Sequence, residues 1–433
     1  MSHREPVVII GAGLAGLSAA RTLRRADVEV LVLERENRVG GLCRTETVDG
    51  FAFDYTGHLL HLRDGWVRDM IIGELAGRLT EHVRNASVFL EETYVPFPIQ
   101  ANFGSLRPDL VKRCIRDSRR AAKAVMPVDP SFARWARAQF GDTLAELFMI
   151  PYNRKLYVHP LDEMETSWTS WSIPRPTAEE MEMAARGGDS GTFGYNAVFH
   201  YPTRGGIEML PMMLADGLDD LLALDTGVAR IDVGRKVVVT DNNREIGYRH
   251  LISTVPLPDL LKMAPNLPGL PAMGAGKLRH SSVMGYCLGL DGPVLRDEHW
   301  IYFPEAKFPF YRVGFFTNFS ANLAPEGASS LYVEVAHRPG DPPGNGSMGK
   351  RIMGGLKSAG IIPPGRRVVA QRSLAMPYAY VFYDRYRKDH LDGILAGLRE
   401  HSIFSVGRYG AWEYSAMEDA IRWGIEAAGE VMR

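Results

Sequence analysis

The sequence predicts an α/β protein in which a Rossmann-like domain is interrupted by a mainly helical insertion and an antiparallel β-sheet domain. Three features predict it. Val7–Ile10 is a short apolar run that passes through Gly11-Ala-Gly13-Leu-Ala-Gly16 into a helical stretch reaching about Arg25. A second apolar run, Val28–Leu33, ends in Glu34. Helix-like patterning dominates from about Gly65 to Leu147, whereas strand-like segments dominate after Val228. With 433 residues the chain has material for two or three structural units. The expected division is a nucleotide-binding domain in three pieces (1–62, 186–290 with part of the sheet, and 391–433), a helical insertion at 63–185 and a mixed α/β substrate domain at 291–390.

The first element has a chemical rationale. Gly11 permits a tight turn out of the strand, Gly13 lets backbone approach a pyrophosphate, and Gly16 lets the helix pack closely on the strand. The helix start turns free N–H groups and a positive dipole end toward phosphates. Glu34 lies 23 residues after Gly11, at the tip of the second strand, where a carboxylate can accept hydrogen bonds from ribose hydroxyls. A strand before, a helix after and an acid at this distance make the motif a dinucleotide site rather than a plain turn.

Further along, Leu106–Val125 places Leu110, Val111, Cys114 and Ile115 on one side and Arg113, Arg116, Arg119, Arg120 and Lys123 on the rest, the pattern of a helix with a solvated basic face. Residues 173–177 form a break and 186–194 a glycine-rich loop. Strands are expected at Val228–Val233, Lys236–Thr240, His250–Thr254, Ser282–Leu290, Tyr311–Thr317 and Ser330–Ala336, and an amphipathic helix at Asp419–Met432. A second glycine match, Gly344-Asn-Gly346-Ser-Met-Gly349-Lys350, follows Arg338–Pro343 instead of a strand. Arg351 also stands where a P-loop needs Ser or Thr, so a surface loop is expected there.

Charged residues make up 23% of the chain and the net charge is −1, which gives no global attraction to nucleic acid or an anionic membrane. Three scattered cysteines indicate neither a disulfide framework nor a cysteine metal site. No apolar run approaches the roughly 18–20 residues of a membrane span. A reducing cytoplasm is the expected location, with no nucleic-acid or membrane partner and with oligomerisation left open.

Several segments together narrow the dinucleotide to FAD. Arg38-Val-Gly40-Gly41 resembles the extension of the glutathione-reductase-like FAD-binding group, which includes amine oxidases and UDP-galactopyranose mutases. Thr226–Ile231, with Val228 at its centre, resembles the later strand that meets the adenine. Gly57-His58 resembles the mutases' motif beside the flavin, with Thr56 in place of its first glycine. Val95–Gln100 resembles their uracil-contacting segment, and Leu147–Tyr157 a segment lining the nucleotide and sugar pocket. Tyr302–Glu305 with Phe308–Arg312, and Gly407-Arg408 through Tyr414, resemble the segments that supply a tyrosine and an arginine, and a second tyrosine, to the diphosphate. Met417-Glu418-Asp419-Ala420 is more similar to the wider amine-oxidase-like group, where this helix start meets the flavin. Ser172 stands where the mutases carry a second arginine.

The resemblance implies a glutathione-reductase-type FAD domain held by Gly11, Gly13, Gly16, Glu34, Arg38, Gly40, Gly41, Gly57, His58, Val228, Gly407, Arg408, Met417 and Glu418. It implies His58, Tyr302, Arg312, Tyr378 and Tyr414 as catalytic residues. Phe97, Gln100, Phe148, Tyr152, Asn153, Tyr157, Asn196 and Arg312 form the candidate substrate set. Independently of resemblance, a diphosphate needs converging cations and hydroxyl donors, which Arg312 and the tyrosines can supply. Phe97, Phe148 and Tyr152 can wall a flat base. The implied reaction is pyranose–furanose interconversion of a nucleotide sugar, with a UDP-linked sugar as the substrate the resemblance implies. In it N5 of reduced flavin bonds to the anomeric carbon as the nucleoside diphosphate leaves, with NAD(P)H as an external reductant. The alternative is an FAD-dependent, amine-oxidase-like oxidoreductase on a biosynthetic intermediate.

Overall fold

The computed structural model describes residues 5–186, 197–268 and 274–433. Its first layer is a five-stranded parallel sheet in the order Ile403–Ser405, His250–Ser253, Val7–Ile10, Val30–Leu33, Leu222–Ala223. All four residues of Val7–Ile10 are buried, because both faces of the strand are covered. Val7 and Ile9 pack among residues of the helices Leu14–Arg25 and Met417–Val431. Val8 and Ile10 face the core shared with the three-stranded sheet Val228–Asp232, Val237–Thr240 and Glu245–Gly247. The two helices approach closely at Gly424, where an added Cβ would lie 2.1 Å from the Ala15 carbonyl oxygen.

The second layer is a seven-stranded sheet in the order Val368–Val381, His280–Leu290, Ser329–His337, Arg312–Phe315, Trp300–Tyr302, Ala86–Leu90, Thr93–Pro96. Its pairings are antiparallel except that of Trp300–Tyr302 with Ala86–Leu90. The expected α/β class, with a Rossmann-like domain and an antiparallel sheet domain, is therefore present. The helical reading of 65–147 needs correction. Leu79–Val83, Ala86–Leu90 and Thr93–Pro96 are strands inside that stretch. A short all-apolar run such as Ala86–Leu90 has no period to tell strand from helix, and its pairing with residues more than two hundred positions away decides it. The longest strand, Val368–Val381, lies on the sheet edge, where Pro377 is tolerated.

Helices Pro108–Ala122, Phe132–Phe140 and Ile150–Tyr157 build the insertion. The basic face of the first is solvent-exposed, with Arg119 on Glu182 and Arg120 on Asp142. The segment from Gly344 is not a loop as expected. It opens a helix, Asn345–Ser358, whose buried Ile352 and Leu356 compensate for its weak helix formers. Residues 338–344 separate it from the strand Ser329–His337, and among the described residues none of the helix lines the cavity described below.

Candidate functional site

Gly11 leaves the first strand at φ +98°, and a Cβ there would lie 2.3 Å from Thr254 Oγ1. A Cβ on Gly16 would sit 1.9 Å from the Gly11 carbonyl oxygen, so only glycine lets the helix start this close to the strand. Gly13 and Gly41 face each other backbone to backbone, the added Cβ of Gly41 falling 3.4 Å from Gly13 Cα. Side-chain-free backbone on both sides leaves a phosphate-sized cradle at the helix N-terminus. Glu34 is buried, and its two carboxylate oxygens accept the N–H groups of Ala12 (2.7 Å) and Glu36 (3.0 Å). These bonds fix its orientation and leave lone pairs for ribose hydroxyls.

Arg38 is turned away from this cradle. It pairs with Glu46 and lies 3.6 Å from Glu208, and it does not line the cavity. Of the two arginines flanking the glycine pair, the one that lines the cavity is Arg44, which is buried and donates to the Val39 and Arg38 carbonyls. Its position three residues after the glycine pair is the signal that could have found it. Gly40, Gly41, Gly57, Val228, Gly407, Arg408 and Met417 line the cavity, but Glu418 does not. The Glu418 carboxylate accepts the backbone N–H groups of Arg63 and Asp64, both at 2.7 Å, and so anchors the loop before helix Gly65–Glu74.

The same cavity, about 1120 Å³, continues from the glycine cradle past His58 to Tyr302, Arg312, Tyr380 and Tyr414. That exceeds the ~300–1,000 Å³ typical for one small ligand. Arg312 and Tyr302 are brought together because their strands pair at this rung. Arg312 already has an anion: Glu334, 1% exposed on the neighbouring strand, takes Nε and Nη2 in a bidentate pair, the Nη2 bond being 2.7 Å. Tyr380 Oη lies 3.5 Å from Nη2, and its ring stacks on Tyr414 at 6.0 Å. Arg408 is held by the carbonyls of Ser415 (2.6 Å) and Ala379 (3.2 Å), with its guanidinium 4.5 Å from the Tyr414 ring centroid. Burial, with the charges of Arg408 and Arg312 nearby, pushes His58 down to about 4, so its ring is neutral. Its Nδ1 is buried without a hydrogen-bond partner.

Tyr378 is not part of this cluster. Its ring stacks on His280 at 4.3 Å and its hydroxyl faces the carboxylate of Asp259, toward the nucleotide end. Tyr380, two residues on along the same strand, takes the place beside Arg312. Phe97, Phe148 and Tyr152 form an aromatic wall behind Tyr302, with ring centroids at 5.0, 6.4 and 5.2 Å from it. Gln100 and Asn153 are buried, with their side-chain amides donating to the Pro174 and Met149 carbonyls, although Gln100 Oε1 has no partner. Tyr157 packs against Trp168, Tyr380 and Phe382. Asn196 and residues 187–194 of the glycine-rich loop lie outside the described residues.

Residues 9–71 match the model of the NAD(P)-binding Rossmann-like domain family. Among curated proteins, polyamine oxidase 2 of Arabidopsis thaliana is 40% identical over 80 residues, 18% of this chain and 16% of that protein. The inactive all-trans-retinol 13,14-reductase of Danio rerio is 49% identical over 57 residues, 12% of this chain and 9% of that protein. The chain thus spans less than a fifth of the length of these two relatives. Among solved structures, reduced UDP-galactopyranose mutase matches with a TM-score of 0.93 and 28% identity over 99% of this chain and 96% of that one. A putative protoporphyrinogen oxidase from Exiguobacterium shares the fold at 18% identity, with a TM-score of 0.78 over 100% of this chain and 99% of that one.

These likenesses and the glycine cradle support a flavin-binding protein whose amino-terminal part is similar to that of an amine oxidase. Over nearly its whole length the chain is UDP-galactopyranose mutase-like. Its residues fit FAD: the side-chain-free backbone of Gly13 and Gly41 would admit a pyrophosphate, Glu34 lines the cavity where it could accept from ribose hydroxyls, and Met417 and Ala420 open a long helix into the cavity beyond.

Proposed function

We propose that this chain is a flavin-dependent enzyme that interconverts the pyranose and furanose forms of a nucleotide sugar, with a UDP-linked sugar as the expected substrate. One observation carries the reading. The cavity that starts at the dinucleotide cradle runs without interruption to an arginine and three tyrosines, the chemistry that holds a diphosphate. The likeness to reduced UDP-galactopyranose mutase along nearly the whole chain supports it.

When bound, reduced FAD supplies the nucleophile, so no Ser-His-Asp or Cys-His set is needed. The protein supplies position and charge. Glu334 locks the Arg312 guanidinium in one plane, leaving Nη1 for an anionic leaving group. The hydroxyls of Tyr302, Tyr380 and Tyr414 surround the same space and donate to developing charge on that group. Arg408 adds a fixed positive charge, and neutral His58 offers hydrogen bonding without adding another. Cys43 lines the cavity, but burial pushes its thiol up to about 12, which excludes it as a nucleophile near neutral pH.

The test uses the yellow protein, reduced with dithionite and given UDP-galactofuranose or UDP-galactose, with products separated by chromatography. Interconversion without stoichiometric flavin oxidation is the expected result. If no UDP-sugar binds or alters the flavin spectrum, the UDP reading is overturned. Oxygen-consuming turnover of an amine would establish the oxidoreductase instead.

A further inference from the structure

The hairpin that carries Tyr302 and Arg312 has an unusual tether. Strands Trp300–Tyr302 and Arg312–Phe315 pair with Tyr302 opposite Arg312, and the connection between them runs through Phe303 to Tyr311. Just beyond that rung, Lys155 of helix Ile150–Tyr157 donates from Nζ to the carbonyl of Phe303 (2.7 Å) on one leg, of Phe310 on the other, and of Glu305 (3.2 Å) in the connection. An ammonium has three N–H donors, and here each has a backbone acceptor. Below the tether, the rings of Phe303, Phe308 and Phe310 pack at 4.8–5.6 Å between centroids.

We infer that Lys155 is a positioning residue: its ammonium closes the two legs of the hairpin at the Tyr302–Arg312 rung and so sets the geometry of the diphosphate-binding end of the cavity. A neutral amine keeps two N–H donors, so loss of the proton releases one of the three carbonyls. Burial lowers the lysine to about 7, opposed by the charge of Glu305, which places this release near neutral pH. Glu305 is the ionisable group acting on it. Lys307 sits 3.4 Å from Glu305 and 3.8 Å from Glu92, and Tyr152, Tyr311 and the Arg312–Glu334 pair lie on the elements packed around the rung.

The linkage has a distinctive sign. Because the folded-state value lies below the ordinary 10.5, the unfolded chain binds more protons between about 7 and 10.5, and Lys155 adds to global stability as pH rises through that window. Within the native state, with Lys155 still buried, the neutral amine holds one carbonyl fewer, so the hairpin loosens locally over the same range without solvating the lysine. A merely structural lysine would make hairpin order and global stability change together.

The experiment uses the holoprotein and two readouts. The first is amide hydrogen exchange of peptides covering 300–315 at pH 6.0 and 8.5, corrected for intrinsic exchange rates, with the melting temperature measured in parallel. The expected result is protection at least threefold lower at pH 8.5 in this segment, with no fall in melting temperature that would explain it. Lys155→Met should give low, pH-independent protection at 300–315 with normal FAD content. Lys155→Arg, which stays charged, should remain protected at both pH values. Equal protection of the wild-type segment at the two pH values, or a pH response retained in Lys155→Met, overturns the inference.

The second readout rests on the nucleotide-sugar reading: UDP affinity, followed by the flavin spectrum, should weaken severalfold from pH 6.0 to 8.5 in the wild type and stay constant in Lys155→Arg. Failure of UDP to bind at either pH counts against the nucleotide-sugar reading alone, because the exchange measurement needs no ligand. Binding that is equal at both pH values counts against the role of Lys155.

Discussion

Replacing Glu334 with Gln should separate the two charges at the heart of the cavity. Glu334 is 1% exposed, and its bidentate bond to Arg312 is the anion partner of a guanidinium whose side chain is only 20% exposed. Removing one member of a buried pair costs about 3–5 kcal/mol, because the other charge stays desolvated and unpaired. The residual exposure of Arg312 toward the cavity lets water screen part of that, so a loss of about 3 kcal/mol is expected, roughly a hundredfold in the unfolding equilibrium. The assay is urea unfolding of the holoprotein followed by far-UV circular dichroism and flavin fluorescence, at neutral pH and low salt. Arg312→Met strands the carboxylate instead; its loss should be similar at neutral pH and smaller in acid, where a stranded carboxylate takes up a proton. The double variant should recover part of both losses, since neither charge is then left alone. A loss below about 1 kcal/mol for Glu334→Gln, or strictly additive losses in the double variant, would refute the idea that this pair is a buried, mutually dependent unit.

Three further outcomes follow from other parts of the cavity. Glu34→Ala should weaken FAD binding by about ten- to a hundredfold through loss of charged hydrogen bonds worth about 1.5–3 kcal/mol, read as flavin retained after gel filtration. Gly57→Ala should overpack the site, since the new Cβ would lie 2.2 Å from Tyr332 Oη; a stability loss of about 1–3 kcal/mol with lower flavin content is expected, partly recovered by adding Tyr332→Phe. Burial raises Asp54 from 3.8 to about 6 despite hydrogen bonds from Thr45, Tyr201 and Ile207. The folded state therefore holds the proton more tightly, and about 3 kcal/mol of stability present below pH 4 should be lost as pH rises through 6. Asp54→Asn should flatten that part of a stability–pH profile measured by urea unfolding.

Much of the nucleotide half was legible because its signals are local. Gly11 and Gly16 are required by close approach within one turn, and Glu34 follows from the length of one helix between two parallel strands. The substrate end was legible only through resemblance, and at the level of segments. Tyr302 and Arg312 come together because two short strands pair, which no spacing rule announces. Tyr378 and Tyr380 lie two residues apart on one strand; only the approach of Asp259 to the first and of Arg312 to the second distinguishes them. Arg38 and Arg44 flank the same glycine pair, and the acids near Arg38 decide which one reaches the cavity.

By itself the sequence determined the fold class, the dinucleotide cradle and the likeness to UDP-galactopyranose mutase, since each rests on steric requirements within a single β-α-β unit or on contiguous segments. Only the tertiary structure decided how the charges of the cavity are balanced. Glu334 meets Arg312 across a strand register, Glu418 turns to the Arg63–Asp64 backbone instead of the cavity, and Lys155 reaches three carbonyls of a hairpin some 150 residues away. Electrostatic partnership depends on distances of a few ångströms between residues remote in the chain, and those distances exist only once the sheets and helices have packed.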